Sequence, residues 1–434
     1  MRRREVSPLL RERDVATFVA GRVVTEIGSR ITREGLPVAA ILAASATASE
    51  LGLLALVSTL PALVLGTTAG AVADRTRRRP LMIAADFVRT GLLLTVPLAA
   101  VAGRLTFAQV AAVTALVAAV TVFFQVADRA YLPSLVTLAR VGEANSLLAA
   151  ADGVGETIGP GLMGVLVQAF GVPLAIVGDA LSYAVSGVSL LLIRRSEPPP
   201  APASADGRPR AGLLDGLRAV AAHPVLRPLA GLVATQSVFG GFFGALYELY
   251  ALKTLHLSPF LLGLLITCGG LGSLVGSTLW LRLSVRAGLG RVLLVSFALS
   301  ALANILVPAA PSTLFAAFAF LWGAQFFGDM FGTVFAIGTA TVEQRVTPGS
   351  WLGRVEGALQ TLGGGLGAAG AVAAGLIATA VGMRTAFWIS AAGGMLAVAW
   401  LLTPRMRRLD LAAAGAVEWP GHGDTQPDRV GANA

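Results

Sequence analysis

Five ionisable side chains interrupt the first long apolar stretch of the sequence. Four of them alternate in sign at intervals of four residues, and the fifth lies among them: Arg22, Glu26, Arg30, Glu34 and Arg33. On a helix these positions occupy roughly a third of the circumference. Charged groups inside a membrane normally face a cavity or a partner, and a carboxyl group placed there can carry a proton. We predict that this face lines a central cavity, where Glu26 or Glu34 takes up and releases a proton; a ladder neutralised within the helix is the alternative.

Three further acidic residues lie in later apolar stretches. Asp152 and Glu156 are one helical turn apart and share a face with Gly159, whereas Asp329 lies in the second half of the chain. Glu156 falls near the middle of its stretch, where an isolated carboxyl group is suited to carrying a proton. All three residues are predicted to line the cavity or to carry protons.

The elements that position these residues are twelve apolar stretches. The chain has 434 residues, of which 55% are hydrophobic and 13% charged, and its mean hydropathy is +0.75. A helix needs roughly 20 apolar residues to cross the hydrocarbon core of a bilayer. The sequence therefore predicts an all-α membrane protein with twelve transmembrane helices, over 15–44, 51–72, 81–102, 107–127, 145–168, 173–193, 228–252, 259–281, 292–307, 312–340, 355–380 and 386–403.

Basic residues are distributed unequally between the two sides of this topology. Of the 33 basic residues, 26 fall in termini and loops of one side, three in loops of the other, and four within spans. The positive-inside rule then predicts that both termini are cytoplasmic, in the inner membrane of a bacterium. The net charge of +9 is explained by contact with anionic membrane lipid, and no nucleic-acid partner is expected.

The predicted spans divide into two groups of six. A proline-rich stretch followed by a short amphipathic helix separates them. The predicted segments are a cytoplasmic tail (1–14), a first six-helix lobe (15–193), a cytoplasmic linker (194–227), a second six-helix lobe (228–403) and a cytoplasmic tail predicted to be disordered (404–434). This layout is typical of two-lobed carriers whose repeats rock about a site near the bilayer midplane.

The loop between spans two and three carries a specific pattern. It runs Gly-Ala-Val-Ala-Asp-Arg-Thr-Arg-Arg-Arg and includes Gly70, Asp74, Arg75, Arg78 and Arg79. It resembles the signature loop of the major facilitator superfamily, Gly-x-x-x-Asp-Arg-x-Gly-Arg-Arg, except that an arginine replaces the second glycine. The resemblance implies a latch that holds the lobes in one state; arginines that simply obey the positive-inside rule are the alternative.

The fifth span carries a second pattern, built on Gly155, Gly159, Pro160 and Gly164. It resembles the Gly-x-x-x-Gly-Pro-x-x-Gly-Gly motif of antiporters in the same superfamily, with Met163 in place of one glycine. Small residues four apart let helix backbones approach closely, and an internal proline leaves a carbonyl group without its helical partner. Ordinary close packing is the alternative, but the resemblance favours export over import.

Other stretches are similar to the macrolide-efflux and enterobactin-exporter branch of drug:proton antiporters. They are Ala85–Arg89, Ala144–Leu147, Asp179–Tyr183, Asp215–Arg218 and Thr347–Arg354. The resemblance covers nearly the whole chain. It implies the major facilitator fold and proton-coupled export of an amphipathic drug, macrolide-like antibiotic or siderophore by alternating access.

Other classes of function lack their residues in this sequence. There is no Gly-x-x-x-x-Gly-Lys-Ser/Thr loop for a nucleotide and no Gly-x-Ser-x-Gly nucleophile elbow, and the three histidines are far apart. We therefore expect a monomeric, non-enzymatic protein without a cofactor, driven by a proton gradient, whose partners are a small-molecule substrate and membrane lipid. A proton symporter that imports a metabolite, and a non-transporting receptor or scaffold of the same fold, remain alternatives.

Overall fold

The computed structural model describes residues 8–137, 140–195, 197, 213–407, 409 and 419. The regular secondary structure of these residues is helical, which confirms the all-α prediction. Twelve long helices occur in the described part: α1 (Arg13–Leu42), α2 (Ala48–Arg75), α3 (Arg78–Val101), α4 (Phe107–Leu135), α5 (141–170), α6 (172–192), α7 (Leu226–Leu249), α8 (Pro259–Arg286), α9 (Leu289–Asn304), α10 (Leu314–Val346), α11 (Gly349–Val381) and α12 (Met383–Leu401). A short linker helix, Leu213–Ala222, precedes α7, and a π-helical turn, Tyr250–Thr254, extends it.

Helices α5 and α6 follow each other without a loop. Together they span 52 residues, Val141–Leu192, which as one straight helix would measure about 78 Å, more than twice the hydrocarbon thickness of a bilayer. The break lies at Gly171, whose φ of 78° and ψ of 165° are not helical. A residue with a side chain rarely adopts this backbone conformation, so glycine is what permits the chain to reverse here. Pro173 then opens α6.

Length and composition place most of these helices in a membrane. Nine helical segments of the described chain are long and apolar enough to cross one, with α5 and α6 counted together. Helix α1 is not among the nine, because its seven charged residues lower its hydropathy. The protein is therefore a multi-pass membrane protein in which α1 has to be shielded from lipid by other helices.

The helices pack as two groups that meet along two seams. In the first group α1 packs against the Val141–Leu192 segment and α2 against α4; in the second, α8 packs against α10 and α7 against α11. Most contacts between the groups are made by α2 with α11 and by α5 with α8, and fewer by α7 with α1 and α2. Helices α2, α5, α8 and α11 therefore form most of the interface between the two halves.

The two seams are closed at one end of the bundle only. We call the end at which odd-numbered helices begin the proximal face and the opposite end the distal face. In the distal half, Gly52 of α2 lies against the backbone of Ala371 in α11, and Gly263 of α8 lies against Pro160 and Gly164 of α5. In the proximal half, a Cβ placed on any of three glycines would meet no atom within 4 Å: Gly66, Gly153 and Gly357.

A side chain at Gly263 is expected to hold the distal face apart. Gly263→Val would overlap the backbone of Gly164, whereas the control Gly66→Val adds its side chain in open space. Thr267 lies on the same seam, beside Gly161. A cysteine at position 267, in a Cys268→Ala background, reports whether a thiol reagent from the solvent can reach the seam. We expect Gly263→Val to raise thiol labelling at 267 roughly tenfold, a shift of about 1.4 kcal/mol between conformations. Unchanged labelling would contradict a seam closed by glycine packing.

Candidate functional site

A cavity of about 700 Å³ lies beside α1 and is bordered by five of its charged residues, Arg22, Glu26, Arg30, Arg33 and Glu34. Helices α2 and α4 form the facing walls, α3 and α6 contribute Arg89 and Tyr183, and α7 of the second half contributes Gly244, Ala245 and Glu248. The volume falls within the usual range of small-molecule sites. The structure therefore places the α1 face on a cavity large enough for an organic ligand.

The wall opposite the charged face is largely apolar, with a few hydroxyl and amide groups. Helices α2 and α4 supply Leu51, Leu54, Ala55, Ala62, Val117, Val122 and Phe124 to it, together with Ser58, Thr114, Thr121 and Gln125. Such a combination of one charged and one apolar wall suits a ligand that is itself amphipathic.

Arg22 is the centre of a buried ion-pair network. Its guanidinium lies 2.9 Å from Glu26 of the same helix, 3.2 Å from Asp128 of α4 and 3.5 Å from Asp152 of α5. Only 16% of the Arg22 side chain is exposed. Three carboxylates around one buried arginine give this network an excess of negative charge.

A second network joins α1 to Glu156 of α5. Arg30 forms an ion pair with Glu156, and Arg33 lies 3.5 Å from the same carboxylate and 3.0 Å from Glu34. The expectation of an isolated carboxyl at Glu156 was wrong, because two arginines of α1 reach it across the α1–α5 interface. The ladder alternative holds in part: Arg22 pairs with Glu26 and Arg33 with Glu34 within α1, but Arg30 is paired between helices.

Asp128 belongs to the site although its sequence position suggested a loop. The predicted fourth span ended at residue 127, whereas α4 continues to Leu135 and carries Asp128 inward to Arg22. Its exposed fraction is 5%. Asp128 is followed by Arg129, and a charged pair at the end of an apolar run is normally a sign of the membrane boundary. The signal that could have found it is the net positive charge of the α1 face, which carries three arginines and two glutamates.

Arg89 is held beside the cavity by a pair of aromatic rings. Its guanidinium carbon lies 4.2 Å from the ring centres of Phe124 and Tyr183, and the guanidinium forms an ion pair with Asp86. The charge is thus neutralised within α3 and covered by aromatic faces on both sides. This arrangement fits a structural role for the Asp86–Arg89 pair.

The fifth-span motif packs α5 against two helices at once. Gly155 and Gly159 lie against the backbone of Glu26 and the side chain of Arg30 in α1. Gly164 lies against Pro259 and Gly263 of α8, in the other half of the protein. A side chain at any of these three glycines would separate α5 from a neighbour, so the motif sets the distance between the charged helix and its acidic partners.

The signature loop ties together elements of the first half. Backbone N–H groups of Arg78 and Arg79, at the start of α3, donate to the carboxylate of Glu197 over 2.8 and 3.1 Å. The Arg79 guanidinium donates to the carbonyl groups of Leu190 and Leu191 at the end of α6. Gly70 and Arg75 lie in the last turns of α2. The side chain of Asp74 is outside the described part of the structure, and the latch stays a prediction.

Asp329 lies away from the cavity, in the packing surface between α10 and α8. Its carboxylate accepts a hydrogen bond from Gln325 over 3.0 Å and lies against Gly269. Asp152 and Glu156 differ from it, because their ion pairs attach them to the cavity-lining arginines. The predicted set is therefore brought together around α1 except for this residue.

Removal of Asp128 tests whether the Arg22 network is a buried unit. Asp128→Ala is expected to lower the free energy of unfolding by about 2 kcal/mol, because it leaves the buried Nη1 atom of Arg22 without its carboxylate partner. Glu12→Ala is the control, since its pair with Arg140 is exposed and should change stability by less than about 1 kcal/mol. Unfolding of both variants in detergent gives the comparison, and equal effects would contradict the buried network.

Family and relatives agree with this architecture. The sequence model described as Major Facilitator Superfamily matches residues 27–252 and 229–421, and so covers both halves. The multidrug efflux pump Tap of Mycolicibacterium fortuitum is 27% identical over 387 residues, 86% of this chain and 91% of that relative.

Solved structures show the same fold at low sequence identity. A bacterial homologue of the iron transporter ferroportin, in an inward-facing state, matches with a TM-score of 0.71 at 17% identity, over 91% of this chain and 99% of that one. The nucleoside transporter NupG matches with a TM-score of 0.69 at 14% identity, over 93% and 100% of the two chains.

Proposed function

The chain belongs to the major facilitator superfamily, and on this premise we propose that it exports amphipathic small molecules in exchange for protons. Its family makes it a multi-pass membrane transporter; the direction, the driving ion and the substrate class are our proposal. The similarity to a multidrug efflux pump over most of both chains supports export. The ferroportin homologue and NupG are only 17% and 14% identical to this chain, so what they transport does not indicate its substrate.

The observation that carries the proposal is the cavity with one charged and one apolar wall. An amphipathic compound would place its apolar part against Leu54, Val117 and Phe124 and its polar part toward α1. Binding there would displace water from the charged face and alter the ion pairs on it. Substrate and proton would then act on one set of side chains.

Proton exchange would use the carboxyl groups of α1. Glu26 and Glu34 both border the cavity. Glu26 contacts Arg22 and Glu34 contacts Arg33, and both arginines also contact acidic residues on other helices. Protonation of either glutamate would release its arginine to those other acids, and so would change how α1 is held. Release of the proton to the other side of the membrane would restore the first arrangement.

Alternating access would use the two seams between the halves. With the distal end of the seams closed, the cavity would be reached from the proximal face. Opening the distal face would require α5 to separate from α8 and α2 to separate from α11. The signature loop with Asp74 would stabilise the opposite state. We place the proximal face in the cytoplasm of a bacterium because 26 of 33 basic residues lie on that side, and we infer a monomer whose polybasic face contacts anionic lipid.

Accumulation of a dye and antibiotic panel in efflux-deficient cells tests the proposal. Cells that express the protein should accumulate less of at least one compound, and a protonophore or Asp74→Asn should restore accumulation. Higher accumulation would identify an importer, the first alternative. No change for any compound, with the protein present in the membrane, would favour the non-transporting alternative.

The proton-carrying glutamates can be separated from the rest of the network. Glu26→Gln and Glu34→Gln keep the size of each side chain but cannot release a proton, so each is expected to reduce proton-driven efflux at least roughly tenfold with expression unchanged. Glu12→Gln, on an exposed pair, serves as the control. Wild-type efflux by both cavity variants would exclude these residues as proton carriers.

A further inference from the structure

Two carboxyl groups from opposite halves of the protein meet at the cavity. Glu34 of α1 and Glu248 of α7 both border it, and their side chains lie within hydrogen-bonding distance of each other. Each of the two groups comes from a different half, so this pair bridges the halves within the membrane.

The surroundings of this pair do not neutralise it. Arg33 is the cation that faces it, and Arg33 already lies 3.0 Å from Glu34 and 3.5 Å from Glu156. On α12, Arg384 points elsewhere and donates to Tyr250 and Ala310. Within the described residues, the Oε2 atom of Glu248 is buried and has no hydrogen-bond partner. The carboxylates of Glu34, Glu156 and Glu248 thus share the guanidinium of Arg33. Of these three, only Glu156 has a second cation, Arg30.

The backbone that follows Glu248 is also unusual. A π-helical turn, Tyr250–Thr254, begins two residues later at the end of α7. Such turns are rare and occur frequently at functional sites, since the wider turn changes where neighbouring side chains point. The turn and the orphaned carboxylate oxygen are independent observations on the same helix end.

Chemistry restricts what can occupy the gap between these carboxyl groups. Two ionised carboxylates have acceptors only and repel each other, so their contact requires a shared proton or another cation. We propose that Glu34 and Glu248 form a cation site between the two halves that holds either one proton or the cationic group of an amphipathic substrate. This inference rests on the proposed function and adds a substrate class to it, organic monocations.

The exchange at this site balances in charge and protons. With the proton present, the pair is one carboxylic acid hydrogen-bonded to one carboxylate. When a substrate cation enters, it contacts two carboxylates and one proton leaves to water. The apolar wall of α2 and α4 then receives the rest of the substrate.

Binding of tetraphenylphosphonium to the purified full-length protein tests this site. The charge of this probe does not change with pH, so any pH dependence of its affinity reports on the protein. Triphenylphosphine oxide is the uncharged analogue. Because one proton leaves for each cation bound, affinity for tetraphenylphosphonium should rise up to about tenfold per pH unit where the pair is protonated. Calorimetry in weak buffer should record about one proton released.

Variants of the pair distinguish a binding role from a structural one. Glu248→Gln should lower affinity for tetraphenylphosphonium at least tenfold and abolish both the pH dependence and the proton release, whereas Glu248→Asp should keep proton release. Glu50→Gln is the control, because Glu50 accepts a hydrogen bond from Thr47 at the start of α2 and glutamine can serve there too.

Several results would overturn the inference. They are pH-independent binding by the wild type, equal affinity for the uncharged analogue, or unchanged binding by Glu248→Gln. The wild-type proton measurement stands even if Glu248→Gln fails to fold. If the binding experiment fails but cells still show protonophore-sensitive efflux of neutral compounds, the proposed function stands and only the cation site is rejected. If cation binding is as expected but cells show no such efflux, only the proposed function is rejected.

Discussion

The arginines of α1 impose the constraint on which the rest of this structure depends. Three guanidinium groups, those of Arg22, Arg30 and Arg33, lie in a helix that has to cross a bilayer, and each would be costly if it faced lipid. They are accommodated because acids on α1, α4 and α5 neutralise them, and because neighbouring helices enclose Arg22 and Arg30 while Arg33 borders the cavity. The cavity is the space left on the side where no helix covers the charged face.

That constraint explains the glycines of α5. Ion pairs between α1 and α5 require the two backbones to approach closely, and Gly155 and Gly159 lie where any side chain would keep them apart. The same helix then carries Gly164 to the seam with α8. A change in the ion pairs of α1 therefore reaches the interface between the halves through a single rigid element, which is the kind of physical connection that coupling requires.

Sequence reasoning located the elements better than it located the partners. Hydropathy found twelve spans, and the charged face of α1 was evident from the intervals between Arg22, Glu26, Arg30 and Glu34. Asp128 was missed because its charge resembles the end of a span, and Glu156 was thought isolated because its arginines are more than a hundred residues away. The position of Glu248 beside Glu34 could not be predicted, since it depends on how the two halves pack.

Transport into proteoliposomes with an acidic lumen measures directly whether substrate and protons move in opposite directions. A compound found in the cell-based panel should accumulate in the lumen as protons leave, and collapse of the pH gradient should stop this accumulation. Dependence of the initial rate on the imposed gradient would support exchange through the α1 network. Accumulation only when the outside is acidic, or transport indifferent to pH, would contradict it.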